Sequence, residues 1–203
     1  VVYGHDRGLN AKIKEDDPGR VDIGSERSSY DEGKRFAEAM VLNYRAVFKL
    51  DAKIIRLFRI YGPRMKIDEG HMIPDFISQA LDNRAIVIYG DKDFSSSFCY
   101  IDDCVDASLK IIESDLGTPI NIGSDIPVKL HDIAKKIKEL LGSQSDIVFE
   151  PPLLFLSPLG LPDISLARHE ISWMPIISLE KGLERTIYEL RASKGLKKAN
   201  LST

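Results

Sequence analysis

The chain has 203 residues, 43% hydrophobic and 29% charged, which is ordinary for one globular domain or one domain with a smaller lobe. Lys plus Arg number 28 against 31 Asp plus Glu, a formal net charge of −3, so no basic face for nucleic acid is expected. No run approaches the roughly 18 apolar residues of a membrane span, and two cysteines, Cys99 and Cys104, form neither a metal pattern nor a disulfide framework. A reducing, cytoplasmic compartment is the expectation. Lys194, Lys197 and Lys198 read as a solvated tail.

Val1-Val2-Tyr3-Gly4 reads as the end of a strand entering a loop. Residues 5 to 28 are polar and Gly-rich, a long loop of the kind that carries function. Residues 29 to 48 carry a helical pattern, with Ser29 as a candidate cap. Phe36, Met40 and Val47 share one face, flanked by Ala37, Val41, Tyr44 and Phe48. So wide an apolar arc predicts that more than one surface of this helix is covered. Lys53 to Phe58 reads as a strand, stopped by Tyr61-Gly62-Pro63. Ile73 to Leu81 reads as a helix, Ala85 to Tyr89 as a strand, and Phe98 to Ile101 as a short strand.

Asp102 to Glu113 reads as a helix whose first-turn acids suit the dipole and serve as caps. Ile120 to Ile122 is a strand, Leu130 to Leu141 an amphipathic helix closed by Gly142, and Ile147 to Phe149 a strand. A proline-broken apolar stretch runs from Pro151 to Pro162. Leu179 to Leu190 is the last helix. Strands alternating with helices predict an α/β fold with a parallel sheet.

Tyr30 and Lys34 stand four apart, on one helix face. A phenol with a pKa near ~10 carries protons poorly at neutral pH, and a nearby ammonium lowers that value. A Tyr tuned in this way can exchange a proton with a sugar hydroxyl while hydride moves to a nicotinamide. Spacing alone is weak support, since seven tyrosines supply about half of one such pair by chance. A surface i,i+4 pair is the plain alternative. His5, His71, His131 and His169 show no ligand spacing, and His131 and His169 read as surface helix residues. The cysteines read as buried structural thiols rather than redox groups.

Five strings in order extend the pair: Tyr30 to Arg35 (YDEGKR), Arg59 to Met65 (RIYGPRM), Val87 to Asp91 (VIYGD), Ser97 to Asp103 (SFCYIDD) and Pro162 to Ile164 (PDI). Together they resemble the extended short-chain dehydrogenase/reductase family, in its branch of NAD-dependent nucleotide-sugar epimerases, dehydratases and decarboxylases. YDEGKR and SFCYIDD are most similar to the UDP-glucuronate decarboxylases. The resemblance implies the C-terminal part of a doubly wound, Rossmann-type parallel sheet with a smaller α/β substrate lobe. It divides the chain into a dinucleotide-binding part, 1–66 and 98–123, and a substrate lobe, 67–97 and 124–203. In that family the glycine-rich phosphate turn and roughly the first third of the fold lie upstream of the Val2-Tyr3-Gly4 position, and neither is in these 203 residues, which fits a piece of a longer protein or a degenerate homologue. These 203 residues by themselves are therefore expected to hold NAD weakly.

The resemblance makes Tyr30 the catalytic acid/base and Lys34 the residue that tunes it and bonds the nicotinamide ribose. It puts Phe58 near the nicotinamide, Tyr89 against the nucleotide base and Asp163 beside the nucleotide, where an ordinary strand aromatic and a loop turn residue are the plain readings. The substrate expected is a nucleotide-diphosphate sugar, with a C4 ketone formed before decarboxylation, 4,6-dehydration or epimerisation, in that order of preference. A homodimer through the Tyr30 helix is implied. The departures fall on the diphosphate. Arg59 stands where Asn is usual, His71 where Arg is usual, and Ser96 and Gly160 replace two arginines. Arg59 and His71 are the candidate replacement cations; an ion pair of Arg59 with Asp102 or Asp103 is the alternative. A non-catalytic binding or assembly module is the rival to the enzyme.

Overall fold

The computed structural model describes residues 2–4, 12–67, 69–152 and 160–200, with side chains to residue 194. His5 and most of the stretch between Pro151 and Pro162 lie outside those residues.

In chain order the elements are β1 (Lys12–Ile13), α1 (Ser28–Phe48), β2 (Ile55–Leu57), β3 (Ile60–Tyr61), α2 (Met72–Leu81), β4 (Ile86–Tyr89), β5 (Ser95–Ser96), β6 (Cys99–Tyr100), α3 (Ile101–Ile112), β7 (Ile120–Ile122), β8 (Val128–Lys129), α4 (Leu130–Leu141), β9 (Ile147–Glu150), β10 (Leu161–Pro162), α5 (Ser165–Glu170) and α6 (Leu179–Asn200). Pairing is parallel for β1 with β10, β2 with β7, β3 with β6 and β4 with β9, and antiparallel for β5 with β8. Ile55 faces Ile120 and Leu57 faces Ile122. The β2–β7 ladder runs on through the Phe58 N–H, which donates to the Ile122 carbonyl at 2.9 Å. The class is α/β with parallel pairing, as the alternation predicts.

Two cores organise these elements. In one, α2, α4 and α6 close over β4, with Ile77, Ile86, Ile133, Ile137 and Leu183 fully buried. Gly182 lets α6 approach, because a Cβ there would come within 2.0 Å of the Tyr61 hydroxyl. The other joins α3 and β7 to residues 164–173, around Ile111, Ile120, Ile122 and Trp173. Cys99 and Cys104 are free and buried there, as expected. Tyr3, Ile13 and Phe58 form a small third cluster.

Several expectations change. The wide apolar arc of α1 is not covered among the described residues: its one buried side chain is Asp31, while Phe36, Val47 and Phe48 are 67%, 70% and 61% exposed. Hydrophobic spacing marks a face but does not supply what packs on it. Ser29 does not cap α1; the N-cap position is Arg27, with no side-chain cap bond. Nor do the α3 acids cap their own helix, whose N-cap is Tyr100. Asp102 pairs with Arg185 at 2.9 Å. Asp103 accepts the N–H groups of Ile176 and Ile177, both at 3.1 Å. Lys194 is no free tail: α6 carries it to Asp82 at 2.8 Å and to the Ser78 carbonyl at 3.2 Å.

Candidate active site

The helix α1 starts directly after the turn at Arg27, so Tyr30 and Lys34 occupy its first two turns. They project toward β2, and both line a cavity of about 450 Å³ together with Val2, Tyr3, Glu38, Arg56 and Phe58. Two cations flank the Tyr30 ring. The Arg27 guanidinium lies 4.8 Å from the ring centroid and the Lys34 ammonium 5.6 Å, within the range of cation–π attraction. Tyr30 is half exposed. Phe58 forms the floor, buried at 5%, its ring 5.9 Å from that of Tyr3. Gly123 makes room for it, since a Cβ there would stand 2.7 Å from the Phe58 Cβ.

The remaining sequence-derived residues lie elsewhere. Arg59 lies between β2 and β3, two residues past Leu57, half-buried, with φ +37. Burial and the like charge of Arg27 pull its pKa down to about 10, so it keeps its proton at neutral pH. Asp102 pairs with Arg185, and Asp103 accepts the backbone N–H groups of Ile176 and Ile177. His71 is the exposed N-cap of α2 and makes no side-chain cap bond. Tyr89 ends β4, 39% exposed, opposite Glu150 of β9. Asp163 follows β10, its carboxylate accepting the Ser165 N–H at 2.8 Å; the Ser165 side chain first, and that N–H with it, hold its pKa below the ordinary carboxylate value. Asp163 lines a second cavity, of about 570 Å³, with Lys14, Glu15 and His169. Arg59, His71 and Tyr89 line neither cavity.

Sequence reasoning passed over Glu38 and Arg56, which stand in the same cavity wall. Their signal was present: Glu38 repeats the Tyr30–Lys34 spacing once more, and Arg56 alternates with Phe58 along one strand face. Arg27 lacked a signal, since its position over the ring depends on the turn before α1.

The comparisons agree on the family. Residues 1–123 match the NAD dependent epimerase/dehydratase family. The chain belongs to it. UDP-glucuronic acid decarboxylase 1 of Arabidopsis thaliana is 34% identical over 94% of this chain and 43% of its own length; the enzyme of that name from Danio rerio is 34% identical over 85% and 41%. Among solved structures, UDP-glucuronic acid 4-epimerase of Bacillus cereus, in complex with UDP-glucuronic acid and NAD, superposes with a TM-score of 0.83 at 26% identity, over 95% of this chain and 59% of that one. UDP-glucose 4-epimerase of Thermotoga maritima, at 24% identity and a TM-score of 0.84, matches in fold over 95% of this chain and 60% of that one. The chain spans about half the length of the curated relatives it matches. The family is NAD-dependent and its fold is Rossmann-type. No helix among the described residues is long and apolar enough to cross a membrane.

Proposed function

We propose that this chain carries the proton-transfer half of an NAD-dependent site acting on a nucleotide-diphosphate sugar. The observation that carries the reading is the convergence of Tyr30, Lys34 and Phe58 on one cavity beside β2. A phenol, an ammonium and an apolar floor fit the ribose and nicotinamide end of the cofactor: Lys34 would bond the ribose hydroxyls and Phe58 would pack near the ring. When bound, NAD supplies a hydride acceptor that can return the hydride. Tyr30 would take the proton of the sugar C4 hydroxyl as the ketone forms, with the Lys34 ammonium beside it. The ketone permits one of three outcomes, ranked here as decarboxylation, 4,6-dehydration and epimerisation. Decarboxylation leads because the curated relatives reported above carry that activity in their names.

Arg59 would fork onto the substrate diphosphate in place of the arginines replaced by Ser96 and Gly160, with His71, Tyr89 and Asp163 completing the nucleotide-sugar side. The division into 1–66 with 98–123 and 67–97 with 124–203, and pairing of two copies through α1, belong to the same reading. Family membership does not favour the non-catalytic alternative.

The test uses the protein as its gene encodes it, with UDP-glucuronate and NAD. Tyr30→Phe should abolish turnover and leave NAD affinity nearly unchanged, because the ring remains while the proton carrier goes. Lys34→Ala should damage both. Retention of more than a few per cent of activity in Tyr30→Phe refutes the assignment. Arg59→Asn should weaken UDP binding roughly ten- to a hundred-fold, the worth of one charge-assisted contact, and Ser96→Arg in that background should restore part of it. Unchanged UDP affinity with a lowered melting temperature would make Arg59 structural.

A further inference from the structure

Among the described residues, the helix α1 buries one side chain, Asp31, and leaves Phe36, Val47 and Phe48 exposed, while Ala37 and Val41 line the cavity beside β2. Among the described residues, directional polar contacts contribute to fixing its rotation about its own axis. Glu38 lies one turn past Lys34 and two past Tyr30, on the same face. Its carboxylate receives the Arg56 guanidinium in a fork, through Nε at 3.0 Å and through Nη2. Both side chains are 14% exposed. The Nη1 of Arg56 donates to the Tyr3 hydroxyl at 2.7 Å and to the Glu15 carbonyl at 2.8 Å. The Tyr3 hydroxyl in turn donates to Asn121 Oδ1 at 2.6 Å, and Asn121 Nδ2 donates to the Ile13 carbonyl at 2.9 Å and the Asp163 carbonyl at 3.4 Å.

This chain of bonds ties α1 to β2, β7 and the residue after β10. A planar fork constrains angle as well as distance, whereas an apolar contact of equal area would let the helix roll. Tyr30, Lys34, Glu38 and Arg56 line one cavity, so a roll of α1 about its axis would move the phenol and the ammonium together.

We propose that Glu38 and Arg56 are positioning residues, whose ion pair holds the rotation of α1 on β2 and so aims Tyr30 and Lys34 into their shared cavity. The proposal rests on the proton-transfer reading of Tyr30. It distinguishes orientation from stability. Replacing a buried ion pair by apolar residues of similar volume is often neutral for stability, whereas removing one partner leaves a stranded charge. A positioning pair should therefore be replaceable in stability and irreplaceable in turnover.

The experiment compares Glu38→Met, the double variant Glu38→Met/Arg56→Met, and Arg56→Lys in the protein as its gene encodes it. Melting temperature, kcat and KM with UDP-glucuronate and NAD, and hydrogen exchange of the α1 amides are measured for each. Glu38→Met should lower the melting temperature. The double variant should recover most of it, yet lose kcat roughly 100-fold, the scale of a misplaced reacting group, with KM within roughly three-fold. Its α1 amides should exchange faster than in the parent. Arg56→Lys keeps the charge without the fork and serves if the double variant does not fold; it should show the same loss in kcat with the smaller change in melting temperature. Recovery of kcat along with melting temperature, or α1 exchange unchanged in a variant that loses its fork, overturns the proposal. Tyr30→Phe keeps the two failures apart. If it stays active, the proton-transfer reading falls and the positioning role with it; if it is inactive while the folded pair variants turn over at the parent rate, the positioning role alone falls.

Discussion

Helices α1 and α2 reach the same regular backbone by opposite means. The 21 residues of α1 bury Asp31 alone; the 10 residues of α2 bury Ile73, Pro74, Phe76, Ile77, Ser78 and Ala80. Polar ties hold α1: Arg35 reaches the carbonyls of Val2 and Pro18, Arg45 reaches that of Gly117, and Glu38 meets Arg56. Apolar volume holds α2. The lesson is that directional bonds can fix a helix where volume does not, and the helix they fix here is the one with the proposed proton carrier.

The largest effect should come from the packed side. Ile77→Ala, at a fully buried position, should cost about 3 kcal/mol in urea unfolding through lost transfer energy and a residual cavity. Phe36→Ala, at an exposed one, should cost less than about 0.5 kcal/mol; equal losses would break the contrast. Next is Asp103→Asn. The amide keeps one acceptor where the carboxylate served two N–H groups, so a loss of about 2 kcal/mol is expected by the same measurement.

A smaller effect should appear with acid. Burial alone would raise the pKa of Asp125, but its bond to Lys12 and the charges of Lys12 and Arg168 outweigh that and hold it below the ordinary value. A depressed folded pKa gives stability that is present above the unfolded value near ~3.9 and is lost as pH falls through the folded one. Melting temperature followed from pH 7 downward should drop below roughly pH 4, and Asp125→Asn should flatten part of that slope. The smallest change belongs to Asp102→Asn, which breaks a pair whose side chains are 58% and 45% exposed; no shift in melting temperature should be detectable.

The elements legible in the sequence were those whose side-chain period had room to repeat. The helix α4 ends at Gly142, which takes φ +62, and Leu130, Ile133, Ala134 and Ile137 form its buried face, as their spacing requires. The strand β7 is bounded as its sequence suggests, two isoleucines flanking Asn121 and closed by Gly123. Two-residue strands such as β1, β3, β5, β8 and β10 offer no period to read, and α5 is a turn and a half. The Tyr30–Lys34 pair was readable because both lie on one local stretch. The bonds from Arg56 through Tyr3 to Asn121 cross 53 and 118 positions of sequence, so no local pattern announces them. What covers the outer face of α1 is likewise a question of partners, which spacing does not encode.

The buried thiols of Cys99 and Cys104 have a practical consequence. They are 1% and 4% exposed, and burial, with nearby negative charge, pushes both upward in pKa, Cys104 to about 11. Thiol reagents attack through the thiolate, so at neutral pH these side chains should stay silent toward maleimides. The sequence holds two cysteines in all. A cysteine introduced at Phe36 or Val47 would therefore take a fluorophore or spin label against almost no background, and a reporter there would register directly whether α1 turns.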